Sequence, residues 1–342
     1  MNILRGWNRF WFGPISARPL GVYRIVFGLL VLAHLAFISV ELDYWYTDAG
    51  LLQGNQARIF AGPYRFSPLN WVQDPFSVRC AVAALAAVAI AFVLGWRTQI
   101  MGVLLYFGLM SLYHRNLATN CGPDMLMMIT SFYLMLSPCG AALSLDARRA
   151  AQRRADTPAE PLCIPWAQRL LQIQLCVIYF ASAVFKCNGR TWIGGTAVHY
   201  VIFNHEVGQL NLEWLARYPL VISLMTYGAL LIEFALPFLL WFRPARRWVA
   251  LGGILLHAGI VPLVNVPLFG EQMTSLYLLF LAPDELDSLL SWLDPWAWFR
   301  RQDAGLLALS ARLDPSSATA AWRQLELSFD APEQAGSLGQ AR

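Results

Sequence analysis

Six apolar runs, each close to the length that crosses a lipid bilayer, constrain the fold of this chain more than any other feature. A membrane-spanning helix needs about 20 mostly apolar residues. The runs that meet or approach this length are Leu20–Val40, Val78–Leu94, Met125–Leu143, Trp166–Phe185, Pro219–Trp241 and Trp248–Val266. Two shorter runs, Ile100–Tyr113 and Phe269–Ala282, raise the predicted number of spans to eight, with a re-entrant segment as the alternative for either. We predict an all-α fold, a polytopic membrane helix bundle of about eight transmembrane helices.

The composition excludes the main alternatives to a membrane protein. Hydrophobic residues make up 57% of the chain and charged residues 13%, whereas a soluble domain averages roughly 45–50% and about 25%. This balance excludes a soluble globule, a disordered chain and a coiled coil. The net charge of +4 does not indicate nucleic-acid binding, because the basic residues lie in the loops between apolar runs. The predicted partner is therefore the lipid bilayer, with no nucleic acid.

The positions of the arginines predict the orientation of the spans. Cytoplasmic loops of membrane proteins carry an excess of Lys and Arg. In an eight-span arrangement the arginines concentrate in alternate connections, which include Arg97, residues 146–165 and Arg246. This asymmetry predicts that both termini are cytoplasmic, in a multi-pass protein of a bacterial inner or plasma membrane. It divides the chain into a cytoplasmic N-terminal segment (1–18), a transmembrane domain (19–285) and a cytoplasmic polar tail (286–342).

Ionisable residues inside the predicted spans are candidates for function, because each costs about 2.5–3.5 kcal/mol near a helix centre. Lys186, at the end of the fifth span, is the only lysine in the chain. A desolvated lysine can lose its proton and act as a base, which an arginine cannot do. The alternative is a lysine that extends its ammonium group to the membrane interface.

Glu233 and His257 lie in the middle of two later spans. A buried carboxylate needs a partner or must be protonated, and Arg24 in the first span is the candidate for a structural ion pair with Glu233. A hydrogen-bonded core histidine is the alternative to a functional role for His257. The five scattered histidines and six cysteines have no metal-ligand spacing, so no metal site is predicted.

The segment from His114 to Asp124 connects the third and fourth predicted spans. It supplies hydrogen-bond donors and an acid beside the predicted outer mouth of the bundle. A capped turn, with Asp124 near a helix N-terminus, is the structural alternative for the same residues.

The order of several motifs resembles that of a known family. The motifs are Pro19-Leu-Gly-Val-Tyr-Arg24-Ile-Val-Phe-Gly28, Leu94-Gly-Trp-Arg97, Asn120 before the fourth span, Tyr179-Phe-x5-Lys186 followed by Trp192, Glu233 within Leu230–Phe238, and His257 with Gln272-x-x-Ser275 after it. Together they resemble the vitamin K-dependent gamma-carboxylase-like superfamily, also called HTTM (horizontally transferred transmembrane) proteins, over about residues 18–285.

The resemblance implies an activity and a set of site residues. In the best-known member, a lysine acts as base on vitamin K hydroquinone. The deprotonated hydroquinone reacts with oxygen to form a strong base, which removes a proton from a peptide glutamate so that the glutamate can take up carbon dioxide. The resemblance implies that Lys186 is the base and that His257 and Asn120 are also catalytic. It implies a substrate or quinone pocket formed by His114, Asp124, Tyr179, Trp192 and Gln272. The expected cofactor is reduced vitamin K or a menaquinol-type quinone, with oxygen, carbon dioxide and a secreted peptide as further partners.

Two departures from the family pattern leave alternatives open. Cys121 follows Asn120, where the animal enzyme has a functional histidine, and a short tail stands where that enzyme has a large lumenal domain that binds its substrate. The expected function is an epoxidation-coupled, quinol-dependent carboxylase, a lyase. The alternative is a non-catalytic HTTM membrane protein involved in secreted-peptide maturation or immunity. A small four-helix quinone redox protein is disfavoured by the eight predicted spans.

Overall fold

The computed structural model describes residues 3–51, 53–62, 64–72, 74–153, 160–204, 210–261 and 263–293. The chain divides into two units, Met1–Pro283 and Asp284–Arg342. The first unit contains all the predicted spans. From residue 294 onward, the predicted polar tail lies outside the described residues.

The regular secondary structure of the described part of the chain is almost all helical. Its α-helices are α1 (Ile3–Phe12), α2 (Arg18–Val40), α3 (Leu42–Tyr46), α4 (Gly54–Ala61), α5 (Pro75–Leu94), α6 (Thr98–Arg115), α7 (Gly122–Leu136), α8 (Leu145–Gln152), α9 (Trp166–Cys187), α10 (Arg190–Ile193), α11 (Ala197–Ile202), α12 (Pro219–Leu239), α13 (Arg243–Ile260), α14 (Phe269–Ser275) and α15 (Pro283–Leu293). Short 3-10 helices cover Pro68–Asn70, Glu213–Arg217 and Leu276–Phe280. Two short strands, β1 (Ile15–Ser16) and β2 (Leu162–Cys163), pair antiparallel.

Four of the described helices are long and apolar enough to cross a membrane, namely α2, α5, α9 and α12. α7 is apolar but shorter, because its helix ends at Leu136 rather than at the predicted Leu143. Pro138 follows, and the residue before a proline disfavours the helical conformation, so Ser137 is extended. The last predicted run is divided between the short α14 and a 3-10 helix. The chain is thus an all-helical membrane protein, and eight spans with cytoplasmic termini stay a prediction.

Local sequence explains where the long helices begin and end, as α5 shows. Asp74 accepts a hydrogen bond from the amide of Ser77 at 2.9 Å, and Pro75 occupies the first turn, where its missing N–H costs nothing. The helix ends at Gly95, whose φ of 69° is a left-handed conformation that glycine adopts without strain.

The two short strands give α2 and α9 a common starting end. The β1–β2 pairing joins Ile15 to Cys163 immediately before these two helices, so both begin at the same end of the bundle. α2 packs against α5, α6 against α5 and α7, and α12 against both α9 and α13. α14 contacts α2, α7 and α13. The buried apolar core runs along these contacts and includes Leu20, Phe27, Leu105, Leu175 and Leu236.

Arg24, in the second turn of α2, is completely buried, and its guanidinium donates hydrogen bonds to three backbone carbonyls. Its Nη2 donates to the carbonyls of Val93 and Leu143 at 3.2 and 2.6 Å, and its Nη1 donates to that of Cys139 at 3.2 Å. Val93 lies in the last turn of α5, where helix carbonyls lack intrahelical partners. The Arg24 side chain therefore joins the end of α5 to the connection between α7 and α8.

Candidate functional site

One face of α9 presents three polar side chains towards its neighbours. Tyr179, Ser182 and Lys186 are spaced by three and four residues, which places them along one side of an α-helix. Lys186 lies in the last turn of the helix. α9 runs from Trp166 to Cys187, and α12 and α13 supply the residues that face this polar stripe.

Lys186 forms an ion pair with Glu233 of α12. The Lys186 ammonium contacts Oε1 of the carboxylate, and Ser182 donates to Oε2 at 3.1 Å. The Glu233 side chain is 7% exposed and that of Lys186 is 22% exposed. Lys186 Nζ also lies 4.9 Å from the centre of the Trp192 ring, a distance at which the two groups make a cation–π contact. Both oxygens of this carboxylate are therefore held by α9.

The predicted ion pair between Arg24 and Glu233 is wrong. α2 and α9 start at the same end of the bundle, and Arg24 is near the start of α2, whereas Lys186 is at the end of α9. With a rise of about 1.5 Å per residue, the two positions are separated by most of the length of a spanning helix. Arg24 is held by carbonyls at its own end, and Glu233 is held by Lys186 and Ser182 at the other.

A second group of polar side chains lies on the same face of α9. The Tyr179 hydroxyl is 2.8 Å from Nε2 of His257 and 2.6 Å from the hydroxyl of Tyr277, and all three residues are buried. His257 belongs to α13, and Tyr277 belongs to the 3-10 helix that follows α14. Gly253 leaves the room for this contact, because a Cβ at that position would lie 2.2 Å from the Tyr277 hydroxyl oxygen.

A cavity of about 420 Å³ opens beside the ion pair. Lys186, Glu233 and Trp192 contribute its polar and aromatic part, and apolar residues of α12 and α13, such as Ile232 and Leu256, line the rest. This volume lies within the range of small-molecule pockets, about 300–1,000 Å³. An apolar chamber with one amine and one carboxylate can bind a flat lipophilic molecule and exchange a proton with it.

Comparison with known proteins identifies the family. A family model described as "HTTM domain" matches residues 12–284. The chain belongs to the HTTM family. A relative in Bacillus subtilis (strain 168), with the printed name "Uncharacterized protein YitO", is 22% identical to this HTTM chain over 225 residues, which are 64% of the chain and 72% of the relative. No solved structure matches this HTTM chain significantly.

The other predicted site residues of the HTTM domain do not all join the Lys186 site. Asn120 donates to the carbonyl of Tyr113 at 2.8 Å, and His114 Nδ1 lies 3.0 Å from the carbonyl of Phe66. The first contact holds the turn between α6 and α7, and the second joins the end of α6 to the segment before the 3-10 helix Pro68–Asn70. Gln272 is buried on α14, and its Oε1 has no hydrogen-bond partner among the described residues. A catalytic or substrate-binding role for these three residues stays a prediction.

Asp124 has the capping role that the sequence offered as an alternative. Its carboxylate accepts a hydrogen bond from the amide of Cys121 at 2.8 Å at the start of α7. Partial desolvation and the charge of Asp124 raise the pKa of the Cys121 thiol to about 11. His34 Nε2 approaches the same carboxylate at 3.5 Å and the Tyr113 hydroxyl at 3.1 Å.

Sequence analysis missed two members of the Lys186 site, Ser182 and Tyr277. Ser182 carried a usable signal, because it lies between Tyr179 and Lys186 on the same helix face. Tyr277 carried none, since its contact depends on how the segment after α14 packs against α9 and α13. No group of three or more His, Cys, Asp or Glu residues that could hold a metal ion occurs in the described part of the chain.

Proposed function

We propose that this HTTM protein is a membrane enzyme in which Lys186 acts as the base on a lipophilic quinol, with epoxidation of the quinol coupled to carboxylation of a second substrate. The observation that carries the proposal is the position of the chain's only lysine. It pairs with a buried glutamate at the wall of an apolar cavity. A lysine with only an interfacial role would need neither the buried carboxylate nor the cavity.

Glu233 supports the basic role of Lys186 by offering a place for the proton. The carboxylate is the group in contact with the ammonium that can take up its proton, and this transfer leaves a neutral amine beside a neutral acid. Ser182 binds Oε2 and leaves Oε1 for this exchange. The neutral amine is the form that can accept a proton from a quinol hydroxyl.

The cavity fits the head of a reduced vitamin K or menaquinol-type quinone. Its apolar walls suit the ring system, the Trp192 ring can stack on it, and Lys186 and Glu233 can hydrogen-bond to a ring hydroxyl. The quinol, when bound, supplies the reducing equivalents for oxygen, of which one atom enters the epoxide and the other leaves as water. The apolar cavity walls limit the access of bulk water to the strongly basic chemistry.

His257 and Tyr179 are proposed to move the proton onward from this site. The Tyr179 hydroxyl lies between His257 Nε2 and the Tyr277 hydroxyl, and a hydroxyl with two such neighbours can accept a proton on one side and release one on the other. The second substrate is proposed to be a glutamate of a secreted peptide that takes up carbon dioxide, at a bacterial inner membrane.

The test is quinol turnover by the purified full-length protein in lipid nanodiscs. Vitamin K hydroquinone or a short-chain menaquinol is supplied with oxygen and bicarbonate, and the epoxide is measured by chromatography. We expect Lys186→Arg to abolish epoxide formation, because an arginine stays protonated in essentially any site. Glu233→Gln should lower turnover strongly, whereas Arg217→Lys, on an exposed 3-10 helix, is the matched control and should leave it unchanged.

The outcome that would overturn the proposal is epoxide formation by Lys186→Arg at the rate of the unmodified protein. Absence of epoxide from the unmodified protein with every quinol supplied would instead favour the non-catalytic alternative, a membrane protein in secreted-peptide maturation or immunity. Incorporation of labelled carbon dioxide into a glutamate-rich peptide tests the carboxylation step separately from the quinol step.

A further inference from the structure

A second and larger cavity, of about 760 Å³, lies between α2 and α5 and shares no lining residue with the proposed quinol site. The second half of α2, α3 and the first half of α5 form its walls. Alanines at 83 and 86 of α5 face Leu32 and Leu35 of α2, and their small side chains leave the space between the helices open. Because α2 and α5 are both membrane-spanning by length and composition, this apolar part lies at the depth of lipid chains.

Charged residues form the rim where α2 ends and α5 begins. Arg79 engages both carboxylate oxygens of Asp43 through Nε and Nη2, with Nε at 3.1 Å from Oδ1. Glu41 is exposed on the same rim, and its Oε2 accepts a hydrogen bond from Trp45 at 2.7 Å. The rim therefore carries two carboxylates and one guanidinium, with Nη1 of Arg79 outside the contact with Asp43. Tryptophan at this position is typical of the membrane interface.

We propose that this groove is a specific binding site for one molecule of phosphatidylethanolamine. One acyl chain lies along the alanine-lined floor, the phosphate accepts hydrogen bonds from Nη1 of Arg79, and the primary ammonium donates to Glu41. Charge-assisted hydrogen bonds of both signs match a zwitterionic head group. The surplus negative charge of the rim opposes an anionic head group such as phosphatidylglycerol, and the quaternary ammonium of phosphatidylcholine has no N–H to donate.

The experiment measures which lipid stays bound when the full-length protein is released from mixed micelles in a native mass spectrometer. Phosphatidylethanolamine, phosphatidylcholine and phosphatidylglycerol with identical acyl chains are supplied in equal amounts. We expect one retained phosphatidylethanolamine, preferred over the other two by roughly tenfold, which corresponds to the loss of one charge-assisted hydrogen bond. Glu41→Met, a change on an exposed rim residue that removes both the charge and the acceptor, should reduce the preference over phosphatidylcholine to about onefold.

Two neighbouring alanines give a matched pair for the acyl chain. Ala83 lines the groove, whereas Ala84 is also exposed on α5 but does not line it. Ala83→Leu should lower retention of phosphatidylethanolamine by roughly tenfold, and Ala84→Leu should leave it unchanged. A further sample contains menaquinone besides the three lipids. Equal retention of the three lipids by the unmodified protein, retention of menaquinone in place of a lipid, or equal retention by the two leucine variants would each overturn the proposal.

Discussion

Lys186 and Glu233 form an ion pair between the last turn of α9 and the middle of α12. Lys186 lies at the opposite end of α9 from the end at which α2 begins and Arg24 lies, so the positive charge beside the buried carboxylate comes from the chain's only lysine. Because Ser182 holds the second oxygen, the carboxylate has a defined orientation towards the cavity. This arrangement makes the energetic coupling of the two residues measurable, whether or not they catalyse a reaction.

The first prediction concerns that coupling. Removing one partner of a fully buried ion pair costs about 3–5 kcal/mol, and the partial exposure of Lys186 should lower this to about 2–3 kcal/mol for Glu233→Gln. Lys186→Met combined with Glu233→Gln should cost at least about 1 kcal/mol less than the sum of the single variants. The measurement is unfolding by sodium dodecyl sulfate titration in mixed micelles.

The exposed pair of Arg79 and Asp43 is the control for this cycle. Its side chains are 62% and 41% exposed, so the same double-mutant cycle should give a coupling of about 0.2–1 kcal/mol. If Lys186 and Glu233 gave additive losses, the ion pair would contribute nothing to stability and the carboxylate would have another partner.

The second prediction uses two adjacent glycines of α13. A Cβ at Gly253 would lie 2.2 Å from the Tyr277 hydroxyl oxygen, whereas a Cβ at Gly252 would meet Ile232 at 3.5 Å, an ordinary contact. Gly253→Ala should therefore destabilise the protein by about 1–3 kcal/mol, as overpacking does. Gly252→Ala should be neutral or stabilise it by up to about 1 kcal/mol, because alanine favours the helix.

Removal of the Tyr277 hydroxyl should relieve the closest part of the clash and leave the ring carbon Cζ, at 3.0 Å from the added Cβ, as a tighter than ordinary contact. Gly253→Ala is expected to cost less stability in the Tyr277→Phe background than in the unmodified protein, since the two changes compensate in the same space. The thermal midpoint in detergent measures both effects. Equal midpoints for the two single alanine variants would show that Tyr277 does not occupy this position.

The sequence predicted those parts of the site that lie on one helix or beside it. Tyr179, Lys186 and Trp192 are close in the chain, so helical spacing and a short connection are enough to bring them together. The partner of Glu233 could not be predicted in this way. Opposite charges in apolar spans indicate that a partner is needed, but they do not show the depth of each residue, which here follows from the β1–β2 pairing.

The apolar runs predicted the existence of the helices better than their ends. α7 stops at Leu136 although hydrophobic residues continue, and the signal for this was present in Ser137-Pro138. α14 and the following 3-10 helix replace a single eighth span, and nothing in the apolar run from Phe269 to Ala282 distinguishes these alternatives. Their position depends on packing against α2, α7 and α13.

The third prediction separates Arg24 from Glu233. Arg24→Gln loses up to three hydrogen bonds from a buried charged group to carbonyls at the end of α5 and after α7, and hydrogen bonds of charged groups contribute about 1.5–3 kcal/mol each. We expect a loss of at least about 2 kcal/mol. Combined with Glu233→Gln, the losses should add within about 0.5 kcal/mol, because the sites share no partner. Coupling beyond that in the same titration would contradict the separation of the two residues.

The fourth prediction concerns pH and the start of α6. Asp146, in the first turn of α8, accepts hydrogen bonds from the Arg97 amide at 3.0 Å and from the amide and hydroxyl of Thr98 at 2.7 and 2.8 Å. Burial raises the pKa of this carboxyl, but the hydrogen bonds together lower it by more, so that the pKa lies below its ordinary value of 3.8. The carboxylate thus caps a helix N-terminus from outside the helix.

A lowered pKa in the folded state means that the carboxylate stabilises the fold fully above its ordinary pKa, and that this contribution is lost as the pH falls through the folded value. Asp146→Asn should cost about 1 kcal/mol near pH 7, and the difference from the unmodified protein should shrink below about pH 4. The thermal midpoint is followed against pH in detergent, with Glu160→Gln in an exposed segment as the control. A difference between Asp146→Asn and the unmodified protein that stays constant down to the acid limit of the fold would show that the charge of Asp146 does not cap α6.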